Sequence, residues 1–250
     1  MHPILLEIGK INVYAWGFML AVAVIVAVVG ITRIFDAKGY EKDFALDLII
    51  IMVVSGLFGA RLLYVLIYQR EMFFNDPLIF FSFQGGFYGL VWYGGFFGGL
   101  IACIIYTFKK KQSFWEIADI LAPFAALGYA IVRIGCFLNG CCYGKVTDSI
   151  FGVVFPYIDL LPRHPTQLYS STANILIFFF LLWFLPRKKF GGQVLLIYLM
   201  SYSIYRFIVE FFRADLVMYG PLSTSQTYSV VLFVTAVILY WWKRRENKTR

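Results

Sequence analysis

Seven stretches of mostly apolar residues, each about 20 residues long, are separated by short polar or basic segments in this chain. A run of that length spans the hydrocarbon core of a bilayer. Within that core every backbone N–H and C=O must find its partner inside the chain, so each run is expected to form a helix. The spans fall at about Val13–Ile31, Phe44–Tyr68, Tyr88–Phe108, Phe114–Ile134, Gln167–Leu185, Gly192–Phe212 and Ser225–Trp242. Together with their loops they use up the 250 residues, which leaves no room for a separate soluble domain. Only 14% of the residues are charged and 61% are hydrophobic, against about 25% and 45–50% in soluble domains. The expected fold is all-α: a polytopic membrane protein with seven transmembrane helices, forming one integral membrane domain over residues 1–250.

Orientation follows from the basic residues. With the N-terminus outside, the inner segments hold Arg33, Lys38 and Lys42, then Lys109, Lys110 and Lys111, then Arg187, Lys188 and Lys189, and finally Lys243, Arg244, Arg245, Lys248 and Arg250. That is 14 of the 22 Lys and Arg residues, as the positive-inside rule requires. The same clustering accounts for the net charge of +8 without nucleic acid. The opening MHPILLEIGKINVYAW lacks a basic start and a small-residue cleavage site, so the first span is expected to act as its own insertion signal. The closing WWKRRENKTR is expected to leave the bilayer into the cytoplasm. This topology puts VRIGCFLNGCCYGK (Val132–Lys145), LPRHPTQLY (Leu161–Tyr169) and the Arg213 end of the sixth span at the outer face.

Ionisable residues within spans cost about 2.5–3.5 kcal/mol each at the bilayer centre on insertion scales and are functional candidates by default. Arg61, Glu116, Asp119, Arg133, Arg206 and Glu210 are such residues, and Arg213 follows directly. Arg206, Glu210 and Arg213 share one helix face at spacing i, i+4, i+7. One reading is an internal ion network. The other starts from the surplus: Arg61, Arg133, Arg206 and Arg213 stand against one nearby acid, Glu210. Surplus guanidinium groups in a membrane call for an anion, and lipid phosphate suits their bidentate fork. Arg61 can instead snorkel to an interface.

Other features are less specific. His164 lies between prolines and suits a hydrogen-bonding strut or a general base, while His2 carries no role. Cys136, Cys141 and Cys142 do not follow a recognised zinc spacing. With Cys103 they read as small buried hydrophobes, and neither a metal nor a cofactor is expected. Of Gly85, Gly86, Gly89, Gly94, Gly95, Gly98 and Gly99, the pairs Gly94/Gly98 and Gly95/Gly99 are small-xxx-small patterns for close helix packing. No internal repeat is visible, which argues against a transporter built on inverted repeats.

These residues together resemble the prolipoprotein diacylglyceryl transferase family of bacteria over nearly the whole chain. The family's signature, Gly-Arg-x-Gly-Asn-Phe-x-Asn-x-Glu-x-x-Gly, is similar to Val132–Gly144, where Arg133, Gly135, Phe137, Asn139 and Gly144 match. LPRHPTQLY, YRFIVEFFR (Tyr205–Arg213), GARLLYV and YGGFFGG resemble further family motifs. The resemblance implies transfer of the diacylglyceryl group of phosphatidylglycerol to a lipobox cysteine thiol in the signal-peptide region of a prolipoprotein. Glycerol phosphate leaves, and the setting is a bacterial plasma (inner) membrane. The partners are then phosphatidylglycerol, the prolipoprotein and membrane lipids. It assigns phosphate handling to Arg133 and Arg206, supported by Arg61, Asn139, Gly144, Glu210 and Arg213, and proton handling to Tyr93 or His164.

The chain departs from the family where a proton would be moved. Tyr93 stands for the family's histidine before the Gly-Gly of the third span, Cys136 for the signature Asn and Cys141 for its Glu. Ser170 replaces the acid after the QLY motif, and Ala15-Trp16-Gly17 replaces Trp-Tyr-Gly. Tyr93 serves as a base only with a pKa far below about 10. The readings left open are a family enzyme with a variant site, a paralogue with a different acceptor, and a phospholipid-binding or transport protein without transferase activity.

Overall fold

The computed structural model describes residues 3–8, 11–41, 43–81, 91–214 and 218–249. His2, Lys42, Gly85, Gly86, Tyr88, Gly89 and Arg250, named above, lie outside the described residues. Helices dominate: α1 (Ala15–Ala37), α2 (Phe44–Tyr68), the short α3 (Arg70–Asn75), α4 (Trp92–Lys109), α5 (Phe114–Asn139), α6 (Thr166–Phe184), α7 (Gln193–Glu210) and α8 (Thr224–Thr249). Within the described residues, long helices overlap the expected spans. Among the described residues, α1, α2, α5, α6 and α8 are long and apolar enough to cross a membrane. The chain is therefore a multi-pass membrane protein.

The all-α expectation needs one amendment. Three antiparallel ribbons close backbone hydrogen bonds in connecting segments: β1 (Ile4–Ile8) with β2 (Ile11–Tyr14), β3 (Val153–Val154) with β4 (Pro162–Arg163), and β5 (Met218–Tyr219) with β6 (Leu222–Ser223). A second difference concerns Gly135, where the sequence reading begins a long irregular region. The helix runs on to Asn139. The glycine serves contact rather than interruption: a Cβ there would stand 3.1 Å from Met19 Cβ and 3.2 Å from the Trp16 Cα of α1.

The chain divides into two compact units, Met1–Ile31 with Ala118–Arg250, and Thr32–Ile117. In the second unit, α2 and α4 pack backbone to backbone. A Cβ on Gly94 would lie 2.2 Å from the Gly59 carbonyl oxygen, and one on Gly98 would lie 2.4 Å from that of Ser55. Only glycine allows this approach, so the Gly94/Gly98 pair is a helix-packing face. Beside it, Phe35, Phe44 and Tyr106 form an aromatic cluster, and the Tyr106 hydroxyl donates to Asp47 at 3.3 Å.

The first unit reverses the polarity of a soluble domain. Apolar Ile25, Phe179 and Ile238 are exposed, whereas Thr166, Gln167, Ser170, Ser171 and Asn174 of α6 are buried. Their spacing puts them on one α6 face, turned inward. Asp119 of α5 is fully buried and accepts hydrogen bonds from Lys188 Nζ and the backbone N–H of Gly192 at 2.8 Å, and from Leu195 N–H at 2.9 Å. A carboxylate there satisfies amides that the first turn of α7 leaves unpaired. It ties α5 to α7 and so fixes where the arginines on those helices stand.

Candidate active site

Arg133 stands four residues after Tyr129 on α5, so the two share a face. Its guanidinium lies over the Tyr129 ring, 4.7 Å from the centroid, and donates to the Tyr129 hydroxyl. The same ring meets Tyr202 and Tyr205 of α7 edge-on, with centroids 5.8 and 6.2 Å away. Arg206 is the next residue on α7. Arg133 and Arg206 thus flank one tyrosine cluster from two helices.

Arg206 donates through Nη1 to Glu210 Oε2 at 2.5 Å and through Nη2 to Ser225 Oγ of α8 at 2.8 Å. Glu210, 3% exposed, also accepts from Ser223 Oγ at 3.0 Å, and its Oε2 lies 3.9 Å from Arg213 Nε. That Nε is buried and makes no hydrogen bond to the described residues. One carboxylate therefore faces two guanidinium groups and is hydrogen-bonded to one of them. Among the described residues, the hydrogen bond made by the Arg133 side chain goes to a neutral hydroxyl.

The signature loop is clamped between two other segments. Gly144 N–H donates to the His164 carbonyl at 2.8 Å, His164 N–H to the Lys145 carbonyl at 3.0 Å, and Lys145 N–H to the Phe212 carbonyl at 2.8 Å. A Cβ on Gly144 would stand 2.4 Å from the Phe212 carbonyl oxygen and 2.7 Å from His164 Cβ, so this three-way approach requires glycine. Thr166 Oγ1 donates to the Cys142 carbonyl at 2.7 Å, and Gln167 Nε2 to the Cys141 carbonyl at 2.6 Å. His164 Nδ1 lies 3.0 Å from the Tyr169 hydroxyl, and its ring packs on Phe212. Asn139, the last residue of α5, is exposed.

Electrostatics joins these parts. The Cys142 thiol is held well below the usual thiol range, chiefly by hydrogen bonds from Cys136 and Cys141, helped by the charges of Arg133 and Arg213. Arg133, Asn139, Gly144, His164, Arg206, Glu210 and Arg213 all belong to the first unit. Arg61 and Tyr93 belong to the second. Arg61 is buried, donates from Nε to the Phe80 carbonyl at 2.9 Å and lies over the Tyr64 ring. Tyr93 is 55% exposed and meets Trp92 edge-on.

Residues 3–242 match the family described as "Prolipoprotein diacylglyceryl transferase". The chain is 36% identical over 245 residues to the "Phosphatidylglycerol--prolipoprotein diacylglyceryl transferase 2" of Clostridium perfringens (strain 13 / Type A), covering 96% of this chain and 94% of that one. It is 34% identical to a phosphatidylglycerol--prolipoprotein diacylglyceryl transferase of Clostridium tetani (strain Massachusetts / E88), covering 96% and 97%. The corresponding protein of Legionella pneumophila (strain Paris) is 32% identical, with 98% of each chain covered.

The chain belongs to the prolipoprotein diacylglyceryl transferase family. Of its departures from the family's pattern, Tyr93 lies in the second unit and the others in the first. Cys136, Cys141 and Ser170 are among the latter, and Ser170 Oγ is spent on the Thr166 carbonyl at 2.8 Å. Several supporting residues escape the sequence reading. Tyr129 is signalled by its i−4 spacing from Arg133. Thr166 and Gln167 sit inside a quoted motif but carry no mark of their backbone contacts. Nothing in the sequence marks Ser223 or Ser225, which reach Glu210 and Arg206 through the β6–α8 corner.

Proposed function

We propose that this family member transfers the diacylglyceryl group of phosphatidylglycerol to the lipobox cysteine thiol of prolipoproteins. On this reading it works at the outer face of a bacterial inner membrane, with seven spans in one membrane domain, the N-terminus outside and the C-terminus in the cytoplasm. The observation that carries the reading is the guanidinium charge gathered in the first unit: among the described residues Arg206 and Arg213 share the one carboxylate of Glu210, and Arg133 bonds to the Tyr129 hydroxyl.

The chemistry explains why such a surplus is useful. The acceptor sulfur forms a bond to the glycerol carbon, the carbon–oxygen bond to phosphate breaks, and its electron pair goes to the departing phosphate. A singly charged diester becomes a monoester that gains a second charge. Fixed cations bind that growing charge better than they bind the intact lipid, and this difference is what accelerates the step. Arg133 and Arg206 are assigned to the phosphate, with Arg213 adding positive field. Glu210 orients Arg206, while Asn139 and Gly144 shape the loop. His164 is assigned the thiol proton; its Nδ1 lies beside the Tyr169 hydroxyl, and its segment touches the signature loop.

Incubation with phosphatidylglycerol and a lipobox peptide tests the reading. The peptide gains the mass of one diacylglyceryl group and glycerol phosphate appears. The replaced positions Tyr93, Cys136 and Cys141 favour one alternative, a paralogue with another acceptor. It takes over if glycerol phosphate is released with other thiols present while lipobox peptides stay unmodified.

A further inference from the structure

Cys136, Cys141 and Cys142 read as small buried hydrophobes in the sequence, yet their sulfur atoms all lie within 4.8 Å of one another. All three are free thiols. We propose that they form a three-sulfur site for a thiophilic d10 cation, zinc(II) or copper(I).

The distances suit such an ion. Sulfur ligands bind zinc at about 2.3 Å, so two that share one ion stand about 4 Å apart. The present triangle needs only a small contraction. Soft thiolates select zinc and copper(I) over hard, oxygen-seeking cations.

The backbone is built to hold the triangle. Cys136 lies in the last turn of α5, and the chain then turns back through Gly140 at φ 73° and Cys142 at φ 62°. The second value is costly for a residue with a Cβ, about 1–2 kcal/mol, and such conformations persist where the surroundings enforce them. Here α6 enforces it, through the Thr166 and Gln167 hydrogen bonds to the Cys142 and Cys141 carbonyls. The three sulfurs are thereby positioned from outside the loop.

Charge also favours binding. Three thiolates around a divalent ion carry one negative charge, and around copper(I) they carry two. Arg133 lies three residues before Cys136 on the same helix face, which places a fixed positive charge on the helix that carries one of the sulfurs. Each sulfur binds as the thiolate, and any proton that it still carries goes to solvent as the bond forms. No oxidation or reduction is involved.

Cadmium(II), a d10 ion without redox chemistry, is the probe. Untagged full-length protein in detergent, kept reduced with a phosphine, is titrated while thiolate-to-cadmium charge-transfer absorption is recorded. Bound metal per chain is counted after desalting. The expected result is one ion per chain, with absorption that zinc(II) or copper(I) abolishes by displacement. Cys141→Ser and Cys142→Ser lose the absorption, and Cys103→Ser, in the other unit, keeps it. Unaltered elution and thermal unfolding of the metal-free serine variants shows that they fold. Absence of absorption in the wild type overturns the proposal, as does equal absorption in folded Cys142→Ser. The readout is independent of diacylglyceryl transfer, so its failure is distinct from failure of the proposed activity.

Discussion

Glu210 has two oxygens and three partners. Arg206 and Ser223 are bonded, and Arg213 stands at 3.9 Å. Glu210→Gln removes the charge that fixes Arg206, and breaking a buried pair this way costs about 3 kcal/mol. Lower thermal stability together with weaker transfer is expected, measured by a melting curve and the peptide mass assay. Arg133→Ala and Arg206→Ala are each expected to reduce transfer by about 100-fold or more, the usual effect of removing one fixed donor to a developing charge. Arg133→Lys keeps the charge but loses the planar fork over Tyr129, so an intermediate rate is expected. Asp159 behaves differently. Arg163 donates to it from Nη2 at 2.5 Å and holds its carboxyl below the usual range. A depressed folded value means the ion pair stabilises the loop above the unfolded pKa and is lost only as pH falls through the lower folded one. Proteolysis of the 146–163 segment is therefore expected to stay slow down to about pH 4 and to speed up in Asp159→Asn at neutral pH. The arginines were legible in the sequence because a permanent charge in an apolar run is conspicuous. Ser225 was not, because a serine in a membrane helix is ordinary until its partner across the bundle is known; Tyr129 left only its four-residue spacing from Arg133 as a sign.

At the level of helices, glycine decides contacts that larger residues forbid. Gly94→Ala would drive a methyl group into the Gly59 carbonyl, and overpacking of this kind costs about 1–3 kcal/mol. A clear drop in melting temperature is expected. Gly128 has open space around its Cβ position, so Gly128→Ala should be neutral or stabilising, by up to about 1 kcal/mol. Gly144→Ala sits between these cases, because its clash falls on the loop joining α5, the His164 segment and the end of α7. It should cost transfer activity more than stability. The Gly94/Gly98 face could be read from a four-residue spacing. The role of Gly135 could not, since a glycine in the last turns of a helix looks the same whether it ends the helix or receives a neighbour. The clamp on Gly144 joins residues far apart in sequence and has no local signature.

In the first unit, apolar side chains such as Ile25, Phe179 and Ile238 face outward while one face of α6 buries polar groups. The helical architecture was readable because span length and hydropathy report directly on the bilayer. The β3–β4 and β5–β6 ribbons were not, since two-residue strands leave no periodicity. Reporter fusions test the proposed orientation: a fluorescent protein fused after residue 248 is expected to shine in the cytoplasm, and an impermeant reagent should reach residues 148–160 from outside. The unmatched guanidinium groups have a practical consequence at the bench. Once the protein is extracted into neutral detergent, those cations will recruit whatever anion the buffer offers. Sulfate, phosphate or citrate would then occupy the place of the lipid headgroup and act as a competitive inhibitor, so the choice of buffer salt alone could make an active preparation look inert.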